Sequence, residues 1–416
     1  MSKRITVILA VIVVIFLLME MTFQTRQQEN KEAVEPENVS PLLVWYTDPD
    51  IQTYMEETAA EASKSLGVEI QTELVSEVDY MENISEKSMA EEMTGPDLYV
   101  AATSQLGKAA QAGLALPAAQ SQIEKTYGEK ALHAVIYNGN AVAVPFYVET
   151  SVLLYNPAYV ESAPQTLDEI LNYAENFETN ETTEAVENIF NWNVADVIED
   201  YMFMGGYTNL GGEDGDRKDE VMLDLDQINA CMAYYQNLNS FFAIDADTIT
   251  SDAIMQDFLA GKTVYVIANE SMLSQADQAI REGKVSEGFY SAAVLPDLTE
   301  ELISRGLSVT TSVVVNPYSQ NQDAAWELVS WITEKCAGSL YENAGKLPAC
   351  RTLAEAPTPA WETVCEAYDK AAEVPKLMEL SDLWLNLELT LADIWRGEDP
   401  SEQMQAFSEE LIQRLD

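Results

Sequence analysis

The hydrophobic and polar positions of this chain change period several times. From residue 42 the run LLVWYT reads as a strand. A helical pattern follows to Leu66, with Asp48 or Asp50 placed to cap its start and Gly67 to stop it. VEIQTELV alternates with period two, as a half-buried strand does. DLYVAA, behind Gly95-Pro96, is another short strand. Ser104 is placed to cap the next helix, which ends near Gly113. Strand, helix, strand, helix in this order predicts a largely parallel sheet with helices on both faces.

Residues 138–156, NGNAVAVPFYVETSVLLYN, break the pattern. Two apolar runs, Ala141 to Val144 and Val152 to Tyr155, suit strands covered on both faces. Pro145 is expected to end the first, because it cannot donate to a sheet ladder. Between the runs lies an island, Phe146 to Thr150. Such an island belongs at a rim between two bodies of the fold, where clefts form. Phe146 reads as core. Tyr147 can cover an apolar ligand face, and Glu149 can accept hydrogen bonds from hydroxyls. Burying Glu149 without a partner would be unfavourable.

Further on, Thr166-Leu-Asp-Glu169 is a capping box behind Pro164. SDAIMQDFLAGKTVYVIAN reads as a helix ending at Gly261, then a strand. SVTTSVVV is a β-branched strand, and QNQDAAWELVSWIT an amphipathic helix. The last 60 or so residues are helical, with Asp399-Pro400 as cap and first position. The glycines from Gly205 to Gly215 lack the spacing of a phosphate loop, and GGEDGDRKDE does not match a calcium loop. It reads as a solvated turn.

The first 25 residues stand apart. Lys3 and Arg4 precede an apolar run from Ile5 to Met19, which is a membrane-targeting segment. The basic residues should stay in the cytoplasm, which places the rest of the chain outside. No small-x-small cleavage pattern follows, so an uncleaved anchor is expected ahead of a removed signal peptide, which would leave the chain secreted. Residues 26–41 are polar and read as a tether.

Composition narrows the function. There are 70 acidic and 22 basic residues among 416, a formal net charge of −48. Such a surface repels nucleic acid and anionic membranes. No C-x-x-C occurs among Cys231, Cys336, Cys350 and Cys365. In an exported chain Cys336 can pair with Cys350 or Cys365; all can equally be small buried hydrophobes. The single histidine, His133, argues against His-based metal sites and Ser-His-Asp chemistry. No cofactor and no metal are expected.

In order along the chain, six blocks carry a resemblance: LLVWYT, GPDLYVAATSQLGKAAQAGLALP, NGNAVAVPFYVETSVLLYNPAYV with PQTLDEI, FLAGKTVYVIANESM, VLPD with NQDAAWELVSWIT, and AGKLPACR. Together they resemble the extracellular solute-binding proteins of bacterial ABC importers, in particular the maltodextrin-binding group. The resemblance covers about residues 42–416. It implies an α/β, two-lobed clamshell of the type II periplasmic-binding-protein kind, with several crossovers between lobes. The expected lobes are 42–147 with 292–346, and 148–291 with 347–416. It also implies a small-molecule ligand, a sugar or oligosaccharide, an ABC permease as partner, and a monomer. Two features depart from the family: no lipobox cysteine is present, and Asn269-Glu270-Ser271 stands where a tryptophan is frequent.

Candidate ligand residues come from strand ends, where ligands bind in α/β folds, from the island after Pro145, from an irregular region around residue 192 and from the segment after Pro348. They are Tyr46 and Asp48, Ser104 and Gln105, Tyr147 and Glu149, Trp192 and Asn193, Asn269 and Glu270, and Arg351. Two other functions compete with ligand capture. A hydrolase would use a carboxylate pair such as Glu149 and Asp48. A membrane-anchored sensor or scaffold would keep the fold and serve a signalling partner.

Overall fold

The computed structural model describes residues 40–415, Asp382 excepted. The expected membrane segment, and the tether up to residue 39, lie outside these residues. Among the described residues no helix is long and apolar enough to cross a membrane.

Eleven strands build two sheets: β1 (Leu42–Tyr46), β2 (Ile70–Leu74), β3 (Leu98–Ala102), β4 (Val144–Thr150), β5 (Val152–Tyr155), β6 (Asn188–Asn191), β7 (Thr263–Ala268), β8 (Ser291–Ala293), β9 (Leu307–Val315), β10 (Leu347–Pro348) and β11 (Ala372–Glu373). The larger sheet runs β10-β4-β9-β3-β1-β2, with β11 paired to β9; the smaller runs β8-β5-β7-β6. The parallel expectation holds for the opening strands, since β1 pairs parallel with β2 and with β3. It does not hold for β9, which is antiparallel to β3 and β4. The reason is topological: β9 enters the larger sheet at the edge where β3 and β4 leave it, with Thr311 opposite Ala102 and Ser308 opposite Thr150.

Pro145 does not end a strand but lies inside β4. Tyr147 pairs with Thr311 and Pro145 with Ser312, so Phe146 is the extra residue of a bulge. A bulge tolerates a residue that has no N–H to donate. The island of the sequence is therefore itself strand, and alternation puts Tyr147 and Glu149 on one face.

The chain crosses between the sheets twice, through Ser151 from β4 to β5 and from β8 to β9, and a third crossing leads from β11 to the helix Leu383–Trp395 of the second core. Val148–Thr150, Leu347–Pro348 and Ala372–Glu373 all belong to the larger sheet. Strand alternation on β5 divides the packing. Val152 and Leu154, with Val266 and Ala268, extend the core of the larger sheet under the helices Ser251–Leu259 and Glu270–Arg281. Leu153, Tyr265 and Ile267 face a second core, closed by the helices Leu225–Phe242, Leu383–Trp395 and Pro400–Leu415.

Local signals mostly act where the sequence puts them. Asp48 caps a single turn, Pro49–Ile51, that leads into the helix Gln52–Leu66, and Gly67 ends it at φ 69°. Thr166 accepts from the Glu169 N–H, although the Glu169 carboxylate accepts from Gln165, one residue earlier than a closed capping box needs. Asp399 accepts from the Glu402 N–H. Ser104 is not a cap: the helix starts at Thr103, and the Gln105 side chain accepts from the Ala102 N–H. All four cysteines are free, so neither pairing open to Cys336 is formed.

Gly107, inside the helix Thr103–Gln111, touches the third crossing. A Cβ there would lie 2.0 Å from the Lys376 carbonyl oxygen. That backbone is pinned, because the buried Lys376 amine donates to the carbonyls of His133 and Ala134 at 3.0 and 3.1 Å. Gly107→Ala gains helix propensity of about 1 kcal/mol but overpacks this contact, at about 1–3 kcal/mol. The expected result is a lower urea midpoint; an unchanged or raised midpoint would mean that residues 374–378 yield freely.

Candidate functional site

On β4, Tyr147 and Glu149 point toward the residues that follow β1. The Tyr147 hydroxyl donates to Asp48 Oδ2 at 2.9 Å. Gly345, at φ 67°, ends the helix Ala337–Ala344 and turns the chain so that Lys346 precedes β10, the neighbour of β4. Lys346 is the centre of the arrangement. Its Nζ lies 3.1 Å from Glu149, 3.4 Å from Asp48 and 3.6 Å from Glu270. It also sits over the Tyr147 ring, 5.5 Å from the centroid. Glu270 opens the helix Glu270–Arg281 directly behind β7 of the smaller sheet, where the helix dipole favours a carboxylate. One ammonium thus ties groups of the larger sheet to a group of the smaller one.

Little water reaches these charges: the side chains of Lys346 and Glu270 are 12% and 10% exposed. Burial pushes the Glu270 carboxyl up to about 8, the Glu149 charge adds to this, and Lys346 opposes it. Burial works against the Lys346 ammonium, but the pull of Glu149, Glu270 and Asp48 outweighs it and holds the ammonium above its ordinary range. The Tyr147 hydroxyl is pushed far up, first by burial and then by Asp48 and Glu149.

More carboxylates stand behind β6. Asp196 caps a short helix, Val197–Asp200, through the Ile198 N–H. Glu199 is fully buried; one oxygen accepts from the Asn193 N–H at 2.8 Å, and the other has no partner. Its carboxyl is held well above the usual range by burial, with Asp196, Asp200 and Glu270 adding to it. Asp200 accepts from Trp192 Nε1 at 2.8 Å and from the Tyr235 hydroxyl at 3.0 Å, yet burial still pushes it up to about 8.

The sequence candidates divide. Asp48, Tyr147, Glu149 and Glu270 come together around Lys346. Trp192 does not: it is fully buried in the second core, stacked on Phe190 at 4.8 Å and packed edge-on to Trp395, so it offers no ring to a ligand. Tyr46 is buried in the first core, and its neighbour Trp45 is covered too, donating to Glu73 beneath the Lys87 amine. Asn269 caps the helix Glu270–Arg281, and Asn193 donates to Ser251 while accepting from Ala195. Ser104 and Gln105 line a different cavity, of about 420 Å³, with Tyr80, Met81 and Met378. Arg351 pairs with Asp369 at 2.9 Å and lines another, of about 550 Å³, with Lys130, His133 and Arg305.

Lys346, Asp196 and Glu199 were not among the candidates. Lys346 lies in the AGKLPACR block, and only its place beside β4 distinguishes it from a solvated lysine. The pair Asp48 and Glu149, needed for hydrolysis, is bridged by the same ammonium. Among the described residues no group of three His, Cys, Asp or Glu side chains is placed to hold a metal ion.

Comparison with known proteins agrees with this architecture. The family model described as bacterial extracellular solute-binding protein matches residues 38–363. A maltotriose-binding protein of Pyrococcus abyssi is 23% identical over 340 residues, covering 77% of this chain and 71% of that protein. A maltodextrin-binding protein of Bacillus subtilis is 23% identical over 365 residues, covering 82% and 84%. Among solved structures, an extracellular solute-binding protein of Staphylococcus aureus in complex with maltose superposes with a TM-score of 0.73 at 19% identity, covering 90% of this chain and 98% of that one. A cyclo/maltodextrin-binding protein complexed with maltotetraose gives 0.73 at 19% identity, covering 93% and 99%.

Proposed function

The chain belongs to the bacterial extracellular solute-binding proteins, and from that premise we propose that it captures an extracellular carbohydrate between its two lobes and presents it to an ABC permease. The family is one of binding proteins, so the site performs no bond chemistry. One observation carries this reading: Lys346 joins Asp48 and Glu149 of the larger sheet to Glu270 of the smaller. Groups from both lobes therefore meet at one point, and parting the lobes would separate them. A ligand that bridges them favours the closed form by as much as its affinity for the two forms differs. Carboxylates and an ammonium make charge-assisted hydrogen bonds to sugar hydroxyls, and the Tyr147 hydroxyl adds a neutral one. Relatives named for maltotriose and maltodextrin support a glucose oligosaccharide as the first class to try.

The finer assignments belong to the same proposal. The lobes are centred on the two sheets, residues 1–25 anchor the chain at the outer face of the plasma membrane, and the protein acts as a monomer. Of the sequence candidates, Asp48, Tyr147, Glu149 and Glu270 line the site, joined by Lys346.

Calorimetry against maltose, maltotriose and maltotetraose tests the reading. At least one should bind. Glu149→Ala should weaken that binder by about 2 kcal/mol, roughly 30-fold, as expected for a charged hydrogen-bond partner. Equal affinity in the variant would remove Glu149 from the site, and the absence of heat with every carbohydrate would remove the ligand class.

A further inference from the structure

Two features of the sequence take no part in the site around Lys346: the acidic loop GGEDGD, residues 211–216, and the single histidine, His133. The structure brings them together. The loop joins the strands Thr208–Leu210 and Val221–Leu223 of a small antiparallel ribbon, and Leu210 is rooted in the second core. His133 lies on the helix Glu129–Val135, whose Ala131, Leu132 and Val135 belong to the core of the larger sheet. His133 Nδ1 donates to Asp214 Oδ1 at 2.7 Å. The Asn138 N–H, in the turn that follows this helix, donates to Asp216 Oδ2 at 2.7 Å. Between these two, the Gly215 carbonyl accepts from the Lys376 N–H of the third crossing at 2.7 Å. Gly215 sits at φ 62°, and a Cβ there would come within 3.2 Å of Pro375 Cα, so only glycine lets the loop lie this close. Burial pushes the Lys376 amine down to about 8, while Glu373, Asp214 and Asp216 oppose that shift. The segment that reads as a solvated turn is therefore docked, and it ties the second core to the first.

We propose that residues 211–216 are a strap that holds the two lobes in the arrangement in which Lys346 meets both Glu149 and Glu270. This rests on the two-lobed reading above and goes beyond it, by naming a second tie between the lobes outside the ligand site. The sign follows from the structure. The contacts of the strap and those of Lys346 are present together. Removing the strap therefore penalises this arrangement against any in which the strap is already released. The strap is suited to release. GGEDGD carries no apolar side chain and adds nothing to either core, so hydrogen bonds supply its hold. Each such bond shifts an equilibrium by roughly fivefold, enough to bias two arrangements without fixing one.

Hydrogen exchange of the full chain at neutral pH, without ligand, tests this on the paired variant Asp214→Ala with Asp216→Ala. Peptides covering residues 269–275 and 344–350, which meet at Lys346, should exchange at least about tenfold faster than in the parent, although neither is hydrogen-bonded to the strap. Peptides from β3 and β7 should keep the parent rate. Asp219→Ala removes a carboxylate from the same connection, where it pairs with Arg217 alone, and should change neither. Faster exchange confined to residues 136–140 and 374–378 would mean that the strap lifts while the lobes stay together, and overturns the proposal. So does exchange that is unchanged everywhere, a rise shared by β3 and β7, or an equal effect of Asp219→Ala. No carbohydrate enters the measurement, so the carbohydrate reading survives each of these failures. Whether the lobes part at all is read separately, from the scattering of Lys346→Met.

Discussion

Raising the pH from about 4 to about 8 is expected to lower the free energy of unfolding, the reverse of ordinary acid denaturation. Asp200 and Glu270 each ionise near 8 in the folded chain, against ordinary values of 3.8 and 4.5. Glu199 is shifted the same way. Between those limits the native state holds protons that the unfolded chain has released. The unfolded state then binds fewer protons, so stability falls as pH rises. The contribution is fully present below about 4 and fully lost above about 8. One pKa unit corresponds to about 1.4 kcal/mol, so each buried acid acts on the order of several kcal/mol, and a net fall of at least about 3 kcal/mol is expected. Acids shifted the other way, such as Glu82 and Glu379, are too exposed to offset this. Glu379, for instance, is drawn down by its hydrogen bond with Lys218 at the surface.

Urea unfolding of the purified chain at a series of pH values measures the slope. Asp200→Asn mimics the protonated acid, keeping an acceptor for Trp192 and turning its amide N–H toward the Tyr235 hydroxyl oxygen, and should flatten the slope by about a third. A midpoint that climbs with pH instead would mean that the buried acids are ionised in the native state.

The second large effect concerns Lys346. Replacing it by Met leaves Asp48, Glu149 and Glu270 around an apolar side chain of similar length. Removing one partner of a buried ionic cluster leaves uncompensated charge, at about 3–5 kcal/mol. The loss should depend on pH with a definite sign. At acid pH Glu270 is protonated in both proteins, so less charge is stranded and the variant is less impaired. Above about 8 the Glu270 carboxyl ionises in the parent but finds no cation in the variant, and the difference is largest. Because Glu270 follows a strand of the smaller sheet and the other two carboxylates lie on or beside strands of the larger, repulsion also acts between segments of the two sheets. Small-angle scattering should therefore give a larger radius of gyration for Lys346→Met than for the parent at a pH well above about 8, where Glu270 ionises even without Lys346 to favour its charge. Equal unfolding free energies for parent and variant across the pH range would show that Lys346 does not neutralise the cluster.

Both effects arise where local sequence signals say least. The strand runs were legible because their periodicity has a direct physical cause: β-branched and apolar residues repeat where a sheet face is covered, as in SVTTSVVV, which forms β9. Caps were legible for the same reason. Asp48, Thr166 and Asp399 each satisfy N–H groups within three residues, so the relevant partner is nearby in the chain. Glu149 was legible because an isolated carboxylate among apolar strand residues needs a partner. Its partner was not, since Lys346 lies 197 residues away.

Pro145 and Trp192 show the opposite situation. Proline was expected to end a strand, but a bulge against Thr311 and Ser312 absorbs it, and that bulge belongs to the pairing with β9. Trp192 had the chemistry of a sugar platform. The helix Leu383–Trp395 instead brings Trp395 against it, and Asp200 takes its N–H, which fixes it in the core. Neither neighbour's position can be read from the residues beside Trp192.

What the sequence alone determined is the opening strands and helices, several caps and the acidic character, because these depend on periodicity, local capping and composition; the two-lobed α/β class came from the resemblance of its ordered blocks to a known family. The tertiary structure decided which side chains meet. Contacts such as those of Lys346 with Asp48, Glu149 and Glu270 join segments far apart in the chain, and their distances follow from the sheet order and the three crossings rather than from any local pattern.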